Sequence, residues 1–327
     1  MLDRTARTSL TTAFVITVMC TLATQASAQD PLWGGDLVGR IDSLALASIE
    51  GGSVAALSIG VKRGGDLLLT KGYGLADIEN SVSATAETVY RIGSITKQFT
   101  AAAVMQLVEA GKIDIDASMT EYLPDYPAAG QDVTIRHLLT HTSGIKSYTG
   151  LASWAPKKTL DLSDEELVDL FKDEPVDFAP GERFLYNNSG FYLLGMIIEA
   201  VSGESYRDYL DAHVFGPLGM SRSLYCDERP IVPGRAEGYE QDGGELVNAE
   251  YLSMNQPGAA GALCSTVPDL LLWTSALRSG RVVSGASYGQ MTISGTLNSG
   301  DDTGYGFGLG VGDLGGNSSV AHGGGIN

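Results

Sequence analysis

Residues 91–116 read RIGSITKQFTAAAVMQLVEAGKIDID, and the fold turns on how this stretch is placed. From Ser94 onward nearly every side is small or apolar, and a helix without a polar face is normally buried. Other elements must then surround it. Ser94 and Lys97 stand three apart, which on a helix puts their Cβ atoms about 5–6 Å from each other. Ser94 opens the helix, where free backbone N–H groups and the helix dipole favour a developing anion. Burial lowers a lysine's affinity for its proton, so Lys97 could accept or relay the serine proton. The plain alternative makes Ser94 an N-cap and Lys97 a snorkelling surface lysine. A helix apolar on nearly all sides leaves Lys97 little water to reach, yet on these residues alone both readings stand.

A second S-x-x-K, Ser143 and Lys146, straddles Gly144, where a helix ends and the register of the two side chains is lost. The tetrad arises by chance about once in a chain of this length, so context has to separate the two copies. Two other chemistries are tested and set aside. GASYG at 285–289 fits the G-x-S-x-G nucleophile elbow with Ser287, followed by Asp301, Asp302 or Asp313 and then His322. The stretch after Ser287 is too short and glycine-broken for the long helix that elbow needs, and the HGGG at 322–325 lies downstream of every candidate serine. His137 and His141 share a helix face at i and i+4, but Leu138 stands where a zincin carries its glutamate base. His213 and His322 are remote in sequence, so His137 and His141 read as structural and no metal is expected.

At the N-terminus, Arg4 and Arg7, the apolar run AFVITVMCTLAT and ASA before Gln29 describe a cleavable secretory signal over 1–28. The run is too short to span a membrane, and bulky Met19 argues against a lipid anchor at Cys20. A single domain is read over 29–327. Leu37, Ile41, Leu44 and Ala45 suggest an amphipathic helix. Two apolar runs broken by Gly64-Gly65 read as a hairpin. Helices are expected near 134–142, 163–173, 189–202 and 267–278, and a strand over Tyr305, Phe307, Leu309 and Val311, with something packed against its bare glycine face. The sheet part covers about 29–111 and 262–327, with a mainly helical part, about 112–261, inserted between.

With 39 acidic against 21 basic side chains the net charge is −18. Such a chain repels phosphate backbones, which removes nucleic acid as a partner. Cys226 and Cys264 would survive signal cleavage. An oxidising compartment permits a disulfide between them, and two buried thiols fit equally well.

Five ordered segments, RIGSITKQFTAAAVMQLVEAGKIDID, YLPDYP, VTIRHLLTHTSGI, PGERFLYNNSGFYLLGMIIEAVSG and VFGPLGM, resemble the serine β-lactamase and penicillin-binding-protein-like superfamily. More narrowly they resemble its branch of class C β-lactamases, D-aminopeptidases, DD-carboxypeptidases and family VIII carboxylesterases. The resemblance implies an α/β (α+β) fold in which an antiparallel sheet is flanked by helices. It matches Ser94-Ile95-Thr96-Lys97 to the nucleophile motif, Tyr186-Asn187-Asn188 to Y-x-N, and His322-Gly323-Gly324 to the third motif.

By that resemblance Ser94 is the nucleophile, with Lys97 and Tyr186 sharing the base work and Tyr186 passing the proton to the leaving group. A tyrosine titrates near pH 10 unless a neighbouring ammonium draws it down, and Lys97 is expected to supply that charge. Asn188 fixes Lys97 and substrate, and the N–H groups of Ser94 and Gly325 form the oxyanion hole, with Gly324 beside them. No cofactor is implied. Histidine in place of the usual third-motif lysine weakens recognition of a substrate carboxylate. The expected activity is therefore on small esters or D-amino-acid amides and peptides. A β-lactamase or DD-carboxypeptidase, or a slow penicillin-binding sensor, are the alternatives. Relatives continue past the third motif with further strands and a helix, so the resemblance also implies a chain truncated at its C-terminus, located in the periplasm or secreted. The oligomeric state is left open.

Overall fold

The computed structural model describes residues 17–20 and 36–326. Most of the expected signal therefore lies outside the described residues. Its fragment Thr17–Cys20 forms β1, an extended apolar piece lying antiparallel along a sheet edge whose backbone groups need partners.

Helix α1 (Leu37–Glu50) begins where the Asp36 carboxylate accepts from the Gly39 N–H. Strands β2 (Ala56–Arg63) and β3 (Asp66–Asp77) form the expected hairpin about Gly64-Gly65, with Gly64 in the left-handed region its turn requires. Short β4 (Val82–Ser83) adds to β3, and β5 (Tyr90–Arg91) leads into the turn that carries Ser94. Helix α2 (Thr96–Glu109) follows, with α3 (Ile135–Leu139) and α4 (Asp164–Val168) after it. Next come α5 (Asn188–Ser202), α6 (Tyr206–Leu210) and α7 (Gly216–Leu218). Strand β6 (Leu224–Tyr225) precedes the hairpin of β7 (Tyr239–Asp242) and β8 (Glu245–Asn248). The chain then runs through α8 (Gly258–Gly261), β9 (Leu263–Ser265), α9 (Val267–Arg278), α10 (Gly285–Met291), β10 (Gly310–Leu314) and β11 (Asn317–His322). The strands pair antiparallel as β1-β11-β10, β2-β3-β4, β5-β9-β6 and β7-β8.

Helix α2 sits where its composition demands, with ten consecutive residues from Thr96 to Met105 buried. Phe99 stacks on Trp273 of α9 at 3.9 Å between ring centroids and meets Phe215 edge-on at 5.8 Å. Each such aromatic pair adds about 0.5–1.5 kcal/mol to the area it buries. The buried polar groups of α2 are matched. Gln98 Oε1 accepts from the Trp273 indole, the Thr96 hydroxyl accepts from the Leu263 N–H, and the Thr100 hydroxyl donates to the Ala259 carbonyl. Helix α5 approaches α8 so closely that a methyl group on Gly195 would lie 2.6 Å from Ala259 Cβ.

Cys226 and Cys264 form a disulfide, which resolves the two readings the sequence left open. It ties the end of β6 to β9 inside a small apolar cluster with Val89, Met254 and Ala262. For residues 38 apart in sequence, the chain-entropy model gives such a link roughly 4 kcal/mol of stabilisation.

Two expectations change. The stretch from Tyr305 to Leu309 is not a strand: Gly304 and Gly308 have φ of 69° and 67°, which breaks the extended path, and β10 starts only at Gly310. The packing inferred for its glycines is present, since added methyl groups would lie 2.1 Å from the Met291 carbonyl oxygen at Gly306 and 2.4 Å from that of Lys97 at Gly308. Helix α3 ends at Leu139, and His141 has a left-handed φ of 58°. His137 and His141 therefore do not share a helix face. His137 folds back to accept from the Thr134 N–H in a capping box. No group of metal-binding side chains occurs among the described residues, and no described helix is long and apolar enough to cross a membrane.

Candidate active site

Gly93, at a φ of 51°, turns the chain into one 3-10 turn, Gly93–Ile95, from which α2 continues. Ser94 thus lies just ahead of α2 rather than within it. Lys97, one residue into α2, is 0% exposed. Its Nζ lies 3.1 Å from Ser94 Oγ, 2.8 Å from Asn188 Oδ1 and 2.8 Å from the Ala260 carbonyl oxygen. Burial holds the Lys97 pKa well below the usual lysine value. A neutral amine has two hydrogens and a lone pair. The two carbonyl oxygens take the hydrogens, which leaves the lone pair for the Ser94 hydroxyl.

Asn188 is placed by the first turn of α5, where its N–H donates to Ser147 Oγ and its side-chain amide to Thr149 Oγ1. Tyr186 comes from the segment before α5. Its ring lies beneath Lys97 Nζ at 4.7 Å from the centroid, and its hydroxyl bonds to the Ser94 side chain. Burial of the hydroxyl raises the Tyr186 pKa more than the Ser94 bond lowers it, although the residue as a whole stays 37% exposed. The lowered Lys97 pKa agrees with the burial argument from the sequence, and the raised Tyr186 pKa departs from the expectation that a Lys97 ammonium draws it down. Lys97 is the easily emptied site and Tyr186 keeps its proton.

The third motif closes the other side. A methyl group added at Gly93 would lie 3.0 Å from Gly325 N, and one at Gly324 would lie 2.0 Å from the Ile92 carbonyl oxygen and 3.2 Å from Ser94 N. The Gly324-Gly325 backbone thus runs directly against the turn that carries Ser94. A Gly324→Ala substitution has to push the strand away from Ser94 N. A single oxyanion donor typically contributes about 100–1,000-fold in rate, so kcat of this variant is expected to fall by at least about 100-fold with the fold retained, measured by turnover and circular dichroism together.

His322 ends β11 with its ring buried rather than presented to solvent. Nδ1 lies 2.5 Å from the Gly323 carbonyl oxygen and donates to it, so Nε2 accepts from the Tyr305 hydroxyl at 2.8 Å. Burial first, then the nearby Lys97, brings its pKa down to about 4. It is neutral above about pH 5.

The structure thus brings Ser94, Lys97, Tyr186, Asn188, His322, Gly324 and Gly325 to one place. The other candidates stay apart. Lys146 pairs with Asp177, and the Ser143 hydroxyl accepts from the Ile145 N–H. Ser287 sits at the start of α10 against Ser284 and Glu109, while the ring nitrogens of His322 are occupied by Tyr305 and Gly323. Sequence reasoning did not reach the Ala260 carbonyl, Ser147, Thr149 or Tyr305. A backbone carbonyl leaves no mark in a sequence, and Tyr305 carried only an apolar-face signal.

The chain matches the family model described as Beta-lactamase over residues 41–327. It is 32% identical over 262 residues to penicillin-binding protein 4* of Bacillus subtilis (strain 168), an alignment covering 75% of this chain and 57% of that protein. The chain thus spans little more than half the length of that relative. Among solved structures it is similar to D-amino acid amidase from Ochrobactrum anthropi SV3, with a TM-score of 0.77, 26% identity and coverage of 88% of this chain and 84% of that one. A D-stereospecific amidohydrolase from Streptomyces sp. gives a TM-score of 0.75 at 28% identity, with 87% and 86% covered.

Proposed function

This chain belongs to the Beta-lactamase family and is a serine hydrolase, and from that premise we propose that it acts through an acyl-enzyme on small esters or D-amino-acid amides without a carboxylate. The observation that carries the chemistry is the buried Lys97, hydrogen-bonded at once to Ser94, Asn188 and Ala260. Neutral Lys97 takes the Ser94 hydroxyl proton as Oγ bonds to the substrate carbonyl carbon. The oxyanion is held by the N–H groups of Ser94 and Gly325, preorganised donors that need no rearrangement as charge develops. Tyr186 gives its proton to the departing oxygen or nitrogen and is reprotonated by the Lys97 ammonium. Water then repeats the sequence in reverse and frees the acid.

The preference for substrates without a carboxylate rests on His322. A third motif held neutral down to about pH 5 by burial and by the nearby Lys97 offers no cation to a carboxylate. Beside it, Phe184, Leu185 and Tyr186 leave 37%, 46% and 37% of their surfaces exposed, an apolar rim suited to an aromatic or aliphatic acyl group. The disulfide and the basic, apolar, ASA-ended leader support a periplasmic or secreted location.

Steady-state rates on a short p-nitrophenyl ester, D-phenylalanine amide and a chromogenic cephalosporin test the substrate class. The ester or amide is expected to exceed the cephalosporin by at least about tenfold in kcat/KM, the size of preference that roughly 1.4 kcal/mol of carboxylate recognition would create. A dominant cephalosporin rate, or a stable penicilloyl adduct by intact-protein mass spectrometry, would replace this reading with a β-lactamase or with a slow penicillin binder.

A further inference from the structure

His141 takes part in none of the steps above, yet it grips the residues on both sides of Tyr186. Its carbonyl oxygen accepts from the Leu185 N–H at 2.9 Å, and its Nδ1 accepts from the Asn187 N–H at 3.1 Å. Between these two anchors its ring lies 4.3 Å from the Tyr186 ring, centroid to centroid. Phe191 at 5.0 Å, Tyr305 at 4.7 Å and Phe184 at 5.9 Å complete an aromatic enclosure.

The protonation state follows from the same contacts. A ring whose Nδ1 accepts a hydrogen bond is neutral with its proton on Nε2. Nε2 is buried and finds no hydrogen-bond acceptor among the described residues, so its N–H faces aromatic carbon. Burial, with Lys97 and His322 nearby, keeps the ring uncharged. The backbone is unusual as well: at a φ of 58° His141 occupies the left-handed region, which L residues other than glycine visit sparingly and histidine and asparagine more than most.

We infer that His141 is the positioning residue of Tyr186, fixing the 185–187 backbone and the phenol ring so that the Tyr186 hydroxyl meets Ser94. The inference rests on the acyl-transfer reading of the site. It explains why an uncharged histidine, rather than a cation, stands there: a second charge in contact with Tyr186 would oppose protonation of Lys97 during attack.

The test is the rate at which a fluorophosphonate labels Ser94, followed by intact mass. In that step the Ser94 Oγ–phosphorus bond forms and the phosphorus–fluorine bond breaks, the hydroxyl proton passes to Lys97, and the Tyr186 hydroxyl donates to the departing fluoride. Two variants divide the contacts. His141→Phe keeps a ring against Tyr186 but cannot accept from Asn187. His141→Asn loses the ring but offers Oδ1 where Nδ1 stood and tolerates a positive φ.

Misplacement by about 1 Å can cost on the order of 100-fold, so His141→Phe is expected to label about 100-fold more slowly and His141→Asn within about tenfold of the native rate. In a Tyr186→Phe background, His141→Phe should slow labelling by less than about threefold further, because the residue it positions is already disabled. Cooperative thermal melts confirm that each variant is folded. Native-rate labelling of folded His141→Phe, or an equal slowing with and without Tyr186, overturns the inference. If His141→Phe does not fold, folded His141→Asn decides, and labelling slowed more than tenfold overturns it. A native chain that takes no label at Ser94 overturns the acyl-transfer reading and this inference together.

Discussion

Ser94→Ala is expected to abolish covalent capture and to lower kcat by on the order of 10⁶, the scale set by removing the nucleophile from other serine hydrolases. The expectation is geometric. Ser94 is the serine within 3.1 Å of the Lys97 amine and in hydrogen-bond contact with Tyr186, and the Gly324-Gly325 backbone lies against its N–H. Ser143→Ala and Ser287→Ala are the controls. Ser143 bonds to its own turn, and Ser287 lies in the first turn of α10, where its N–H and hydroxyl meet the capping Ser284, so both variants should label with a fluorophosphonate at native rate. A mass shift on Ser94→Ala, or loss of labelling in either control, would move the nucleophile elsewhere.

Lys97→Met should cost about 10²–10⁴-fold in kcat, the usual worth of a general base, and it carries a second signature. The folded pKa of Lys97 is far below its unfolded value of 10.5. As pH falls through about 10.5 the unfolded chain gains a proton that the folded chain refuses, and native stability declines until the folded pKa is reached. Methionine has no such linkage. Between pH 10 and pH 7 the stability difference measured by denaturant titration should therefore shift in favour of Lys97→Met while its activity stays low. An unchanged difference across that range would mean that Lys97 is charged in the fold, and that Tyr186 has to be the resting base.

Much of the fold was legible because local signals agreed with tertiary context. The hairpin turn at Gly64-Gly65 and helix α9, opened by Thr266 as N-cap with Pro268 in its first turn, lie where turn and capping chemistry put them. The stretch from Tyr305 to Leu309 failed because alternation was counted without asking what φ its glycines hold. Helix α4 is shorter than the 163–173 expected, because the α-helical run stops at Val168 and tighter turns follow.

For the site, physics alone raised Ser94 and Lys97, while Tyr186, Asn188 and the third motif came from the resemblance. The lowered Lys97 pKa followed from the burial of its helix, whereas the raised Tyr186 pKa was beyond either route, because it depends on how much water the hydroxyl loses. His141 was read as structural for want of a motif, and its meaning lies in hydrogen bonds across 44 and 46 residues of sequence.

The burial of α2 on every side also bears on how the protein comes apart. A helix with no face to water has nothing to gain from detaching alone, so its amides open only when the surrounding helices do, and they belong to the slowest-exchanging cooperative unit of the molecule. Lys97 rides on that unit, and Ser94 sits on the turn that leads into it. Loss of the chemistry on heating should therefore coincide with global melting rather than precede it.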